Sequence, residues 1–243
     1  MLSIHRFKAV LFLIGLGLIV GSCGGASDEV VQGGLLYDKW WAAADLDEPQ
    51  GDQTLWATQS TNEREGPDTF RCKECHGWDY SGSDGAYASG SHFTGFPGII
   101  QAASKTDEEL TTALTTGDHD FSSLGDDEVA NLVAFIQEAL VDYNQYIDSE
   151  TKRIINADLE NGEDLYDGLC TTCHGSDGKD RNFGSADEPE YLGDLAADNP
   201  WEAFHKARFG HPGSDPEMPS TLQEGWPIED VRDVVGYAQT LDD

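Results

Sequence analysis

The chain has 243 residues, 46 of them acidic and 14 basic, for a formal net charge of −32. So acidic a surface excludes nucleic-acid binding, which depends on basic residues at phosphates. It keeps a protein soluble and steers basic partners toward it, and it also suits a salty medium that screens such charges. Hydrophobic residues make up 38% of the chain, and the length suits two domains of about 100 residues each.

His5, Arg6 and Lys8 give a positively charged start, Ala9 to Val20 is an apolar run, and Val20-Gly21-Ser22-Cys23 ends it with small residues before a cysteine. The run is shorter than the ~20 residues a transmembrane helix needs. The pattern resembles a bacterial lipoprotein signal, with residues 1–22 removed and lipid added to Cys23. An ordinary secretory peptide or a short uncleaved anchor is the alternative, and each of these exports the chain. Gly24 rather than Asp follows the cysteine, which by resemblance to sorted lipoproteins favours the outer membrane, with the protein facing the periplasm or the cell exterior. Cleavage would leave 12 basic residues against 46 acidic ones.

Gly34-Leu35-Leu36-Tyr37-Asp38 has a weak counterpart in Glu163-Asp164-Leu165-Tyr166-Asp167. Each lies ahead of a copy of Cys-x-x-Cys-His: Cys72-Lys73-Glu74-Cys75-His76 and Cys170-Thr171-Thr172-Cys173-His174. That spacing lets two thiols form thioether bonds to the vinyl groups of one haem, while the adjoining histidine ligates the iron. A disulfide or a four-thiolate zinc site could also use two Cys-x-x-Cys pairs. Neither explains why both pairs run into His and then Gly, at Gly77 and Gly175, and four of the five cysteines are used in this way. Two c-type haems are expected.

Between the first repeat and the first motif, residues 45–70 intervene, with Pro49, Gly51, Gly66 and Pro67 marking irregular structure. They read as an inserted loop whose Leu55 and Trp56 pack on a haem edge. Thr106-Asp107-Glu108-Glu109 is a capping box that starts a helix ended by Gly117. Val129, Leu132, Val133, Ile136 and Leu140 fall on one helical face, and Val231, Val234, Val235, Ala238 and Leu241 make nearly the same stripe, with Phe135 and Tyr237 in matching places. Residues 142–160 are the expected linker. The glycine- and aspartate-rich stretches after both motifs (Ser81 to Gly85 and Ser176 to Asp180) match no complete calcium loop and read as turns.

On these motifs and helices, each half resembles a class I cytochrome c domain. The likeness covers nearly all of the second half and most of the first, residues 45–70 excepted. It implies a mainly α fold of two tandem domains, 28–141 and 161–243, each wrapped around one covalently bound haem. Met218, in Glu217-Met218-Pro219 and 44 residues after His174, stands where the family places its thioether ligand, with His205 and His211 as fallbacks. The first half has no methionine. His119 follows the middle helix where the distal loop should pass; His92, an open iron and, more weakly, Lys105 are the alternatives.

What stands opposite the proximal histidine decides the chemistry. The expected function is electron transfer to and from redox proteins, basic ones included, by iron cycling between ferrous and ferric, with membrane attachment through Cys23. A dihaem enzyme with an open first haem is the rival, peroxidase-like or a sulfur-compound dehydrogenase; the latter's cysteine axial ligand has no candidate here beyond Cys23. A cytochrome subunit of a larger oxidoreductase is a third reading.

Overall fold

The computed structural model describes residues 27–241; the signal segment 1–22 and Cys23 lie outside the described residues. Nine α-helices are connected by loops and short turns, and among the described residues there is no strand, only two isolated bridges, Gly82 to Pro97 and Ile147 to Ile154. The mainly helical architecture expected from the two apolar stripes is what is found.

Helix α1 (Asp28–Ala43) has Asp28 and Glu29 in its first turn, where carboxylates suit the positive end of the helix dipole. Helix α2 (Cys72–His76) holds the first motif, α3 (Asp107–Thr115) begins with the expected Thr106–Glu109 capping box, and α4 (Asp126–Glu138) buries Val129, Leu132, Val133 and Ile136. In the second half α5 (Leu159–Leu165) runs through a π turn, Tyr166–Cys170, into α6 (Thr171–His174). Helices α7 (Leu192–Asp198) and α8 (Pro200–Phe209) follow, and α9 (Ile228–Ala238) ends the fold.

The sequence repeat has a structural counterpart. Helix α1 crosses α4, and α5 crosses α9. At each crossing a glycine lets two backbones touch: a Cβ at Gly33 would stand 2.1 Å from the Asn131 carbonyl, and one at Gly162 would stand 2.2 Å from that of Asp233. One turn later the Tyr37 ring meets Phe135 at 5.3 Å, as Tyr166 meets Tyr237 at 5.4 Å. The Tyr37 hydroxyl donates to the Gly77 carbonyl at 2.6 Å and the Tyr166 hydroxyl to that of Gly175 at 2.7 Å. Both glycines have positive φ, 76° and 78°, which is what turns the chain away after each motif.

One continuous core joins the halves. Helix α8 packs on α1, with the Phe209 ring 2.3 Å from where a Cβ of Gly34 would be. The 142–160 segment, expected as a linker, is packed rather than free: Tyr143 and Ile147 are each 2% exposed, and the Tyr143 ring lies 5.1 Å from Phe204. Its polar appearance hides two large apolar anchors. Asp38, fully buried on α1, pairs with Arg71 of the same half and with Lys206 at 3.3 Å and His211 at 3.5 Å of the other. Burial pushes the Asp38 carboxyl up, but Lys206, His211 and Arg71 more than offset this and hold it well below the usual range.

Candidate functional site

The first motif sits at the end of a short helix. The His76 ring, directed by the turn at Gly77, places Nδ1 2.7 Å from the Pro97 carbonyl. A carbonyl can only accept, so Nδ1 carries the proton and Nε2 is left with its lone pair. The structure brings His119 to this ring, with centroids 6.0 Å apart and planes at 80°. His119 is fixed in the same manner, its Nδ1 2.9 Å from the Ala113 carbonyl. Neither Nε2 has a hydrogen bond among the described residues. A metal–imidazole bond is about 2 Å long, so a metal between two rings sets their centres roughly 6 Å apart. The separation of the two imidazoles matches that spacing. Burial and the neighbouring His119 push His76 down to about 4 against the Pro97 hydrogen bond, leaving it the neutral form that metals require.

The loop that presents His119 is tied to the segment 45–70. Gln53, 7% exposed, donates from Nε2 to the Asp118 carbonyl at 3.0 Å, and its own N–H is held by Thr69 Oγ1 at 2.9 Å. Thr61 reaches the Phe93 carbonyl at 2.8 Å, and Arg64 Nε meets Glu74, inside the motif, at 3.1 Å. Trp56, offered as a haem-edge contact, is buried with its N–H on the Arg64 carbonyl at 2.8 Å. The segment is an ordered strut between the motif and both histidine loops.

His92 is placed elsewhere. It stacks on Tyr87 at 4.8 Å and lies 3.9 Å from Glu74. With Cys170, Cys173 and His174, it lines a cavity of about 1340 Å³. Met218 lines the same cavity, so the structure brings the second motif and its expected thioether to one space. Leu192, Leu195, Val234, Val235 and Ala238 give that space apolar walls, as a porphyrin face requires. His174 Nδ1 is buried and has no partner among the described residues. Burial pushes the Cys72 and Cys75 thiols up to about 12 and Cys170 to about 11, so these are neutral thiols. The second site, with its cavity, thiols and apolar walls, fits a covalently attached haem.

The fallback histidines are engaged. His205 is fully buried, donates from Nε2 to the Gly34 carbonyl at 3.0 Å and accepts from the Tyr80 hydroxyl at 2.8 Å. Burial pushes it down to about 3, so it packs the two halves together as a neutral ring. His211 Nδ1 lies between Lys206 Nζ, at 2.6 Å, and the Asp38 carboxylate, at 3.5 Å. Among the described residues no cluster of three His, Cys, Asp or Glu side chains could hold a free metal ion. In the first turn region, Asp79 instead accepts from the Ala86 and Ser81 amides at 2.7 and 3.2 Å.

Residues 157–237 match the family model of cytochrome C oxidase, cbb3-type, subunit III. This part of the chain is similar to a c-type cytochrome domain. The match supports a covalently bound haem c and haem-based electron transfer. No curated protein and no solved structure matches the chain. Sequence reasoning missed Gln53, whose hold on the Asp118 carbonyl crosses a long stretch of chain. A buried glutamine in a polar insertion leaves no periodic signal.

Proposed function

We propose that this chain is an exported dihaem cytochrome c that passes electrons between redox partners at a bacterial cell envelope. Cys72 and Cys75 attach one haem and Cys170 and Cys173 the other, with His76 and His174 as proximal ligands. Met218 closes the second iron and His119 the first. Each haem supplies one-electron chemistry between ferrous and ferric. The chain's residues fix the ligands, bury the macrocycles and set the two potentials. Lipid on Cys23 anchors the mature protein, outer membrane favoured; no helix among the described residues is long and apolar enough to cross a membrane.

The observation that supports this most directly is the His76–His119 pair, 6.0 Å between ring centres with each Nδ1 already given to a backbone carbonyl. A first iron closed on both sides favours a carrier over an enzyme, which needs an open position. The test is a haem count by pyridine haemochrome together with the spectra of two variants. Two haems per chain are expected, and one would overturn the reading. Met218→Ala should abolish the sulfur-to-iron charge-transfer band. His119→Ala should turn one low-spin haem high-spin; an unchanged spectrum would remove His119 from the assignment.

The matched family is named for an oxidase subunit, and that favours a second reading, a cytochrome subunit docked on a larger oxidoreductase. Co-purification of a stable partner with the full chain would select it.

A further inference from the structure

The cavity at the second site is wider than a single ligand pocket usually is, about 300–1,000 Å³, and its charge is opposite to that of the molecule. Arg64, Arg71, Lys73, Lys152, Arg181 and Lys206 line it, against only Glu190, Asp198 and Glu202. Half of the 12 basic residues beyond the signal segment thus face one space in a chain with 46 carboxylates. Asp38 and Glu74, which pair with four of these cations, are fully buried and do not line it.

The wall supplied by the first half also holds donors with nothing to donate to. Trp78 is 0% exposed and Tyr87 5% exposed, and both line the cavity. Trp78 Nε1 and the Tyr87 hydroxyl have no hydrogen-bond partner among the described residues. Leaving a buried donor unsatisfied is costly, so two together on one wall point to an acceptor that belongs there. Cations stand beside them: Lys73 Nζ and Lys206 Nζ lie 5.1 and 5.6 Å from the Trp78 ring centre, from α2 and α8 respectively, Lys73 also paired with Glu74 and Lys206 with Asp38 and Glu202.

We propose that this wall is a carboxylate-binding cradle over the second site, in which Trp78 Nε1 and the Tyr87 hydroxyl donate and Lys73 and Lys206 neutralise the charge. The acceptor is a carboxylate or similar small oxyanion. One source is the propionates of the haem attached at Cys170 and Cys173, which makes the first half part of the second haem's pocket; this source rests on the functional reading above. The other is a free anion from solution.

Trp78→Phe and Tyr87→Phe each keep the ring and remove the polar atom. The measurement is the midpoint potential of each haem in the full haem-loaded chain, with and without acetate or sulfate at constant ionic strength. If the propionates are held here, both variants lower the potential of the Met218-ligated haem, because a less neutralised negative charge favours ferric iron. The first haem stays put, and added anion has no effect. If a free anion is held, acetate or sulfate shifts the wild-type potential saturably, and the variants lose that shift. Potentials identical in wild type and both variants, with no anion response, overturn the proposal. A haem count below two would count against the site reading instead. The wall is then read by the rise of melting temperature with acetate, expected in wild type and absent in Trp78→Phe; no rise in wild type overturns it there too.

Discussion

Alanine at Gly33 and at Gly162 should be costly, although alanine favours a helix by about 1 kcal/mol over glycine. A methyl at Gly33 would lie 2.1 Å from Asn131 O and 2.5 Å from Phe135 Cβ, and one at Gly162 would lie 2.2 Å from Asp233 O and 2.9 Å from Tyr237 Cβ. An ordinary carbon–oxygen contact is roughly 3.3 Å, so each helix pair must part by about 1 Å. The obstacle is backbone, which cannot swing aside, and the cost belongs at the upper end of overpacking, about 3 kcal/mol. Less the propensity gain, about 2 kcal/mol of destabilisation remains. For a chain of this size that is a fall of roughly 4–8 °C in melting temperature. Gly168 is the internal control: it lies in the π turn Tyr166–Cys170 with nothing within 4 Å of its added Cβ. Gly168→Ala should raise the melting temperature by about 1–4 °C, since only the unfolded chain loses freedom. Far-UV circular dichroism of the haem-loaded protein reads all three. If Gly33→Ala and Gly162→Ala melt at or above wild type, the close crossings are not as described and the reasoning fails.

Two further outcomes follow from single residues. Gln53→Ala removes the side-chain hold on Asp118 O and should let carbon monoxide bind one haem per chain faster, while the Met218 charge-transfer band stays; no change in either would show that the ligand loop holds without the strut. Asp38 governs part of the acid stability: its folded pKa is held well below that of the unfolded chain, about 3.9, so its contribution is full above that value and is lost as pH falls toward the folded pKa. Asp38→Asn should therefore destabilise by about 3–5 kcal/mol at neutral pH and show a shallower loss of stability below pH ~4, read by urea midpoints across pH.

What could be read from the sequence was what repeats or has fixed spacing. The two apolar stripes became α4 and α9, the Thr106 box started α3, and the Tyr37/Tyr166 register reappears as two equivalent hydrogen bonds to Gly77 and Gly175. Spacing fails where an isolated residue acts at long range. His119 and His92 look alike as loop histidines, and only the fold puts one beside His76 and the other on the second cavity's wall. The segment 142–160 reads as a linker because Tyr143 and Ile147 are isolated anchors in a polar run, too few to set a period. Likewise the overall charge of −32 says nothing about where 14 cations gather.

The two proposed sites differ in a way that gives electron flow a direction. At the first, Pro97 O accepts from His76 Nδ1 and Ala113 O accepts from His119 Nδ1. Such an acceptor raises the basicity of an imidazole ligand, and two basic imidazoles favour ferric iron. At the second, His174 Nδ1 has no acceptor among the described residues, and the proposed opposite ligand, Met218, is a thioether rather than an imidazole. Each difference alone would raise the second potential relative to the first, and they act together. Electrons should therefore enter at the first haem, beside the 45–70 strut, and leave from the second. A redox titration that placed the Met218-ligated haem at the lower potential would reverse that direction and require a field from the surrounding charges large enough to outweigh both ligands.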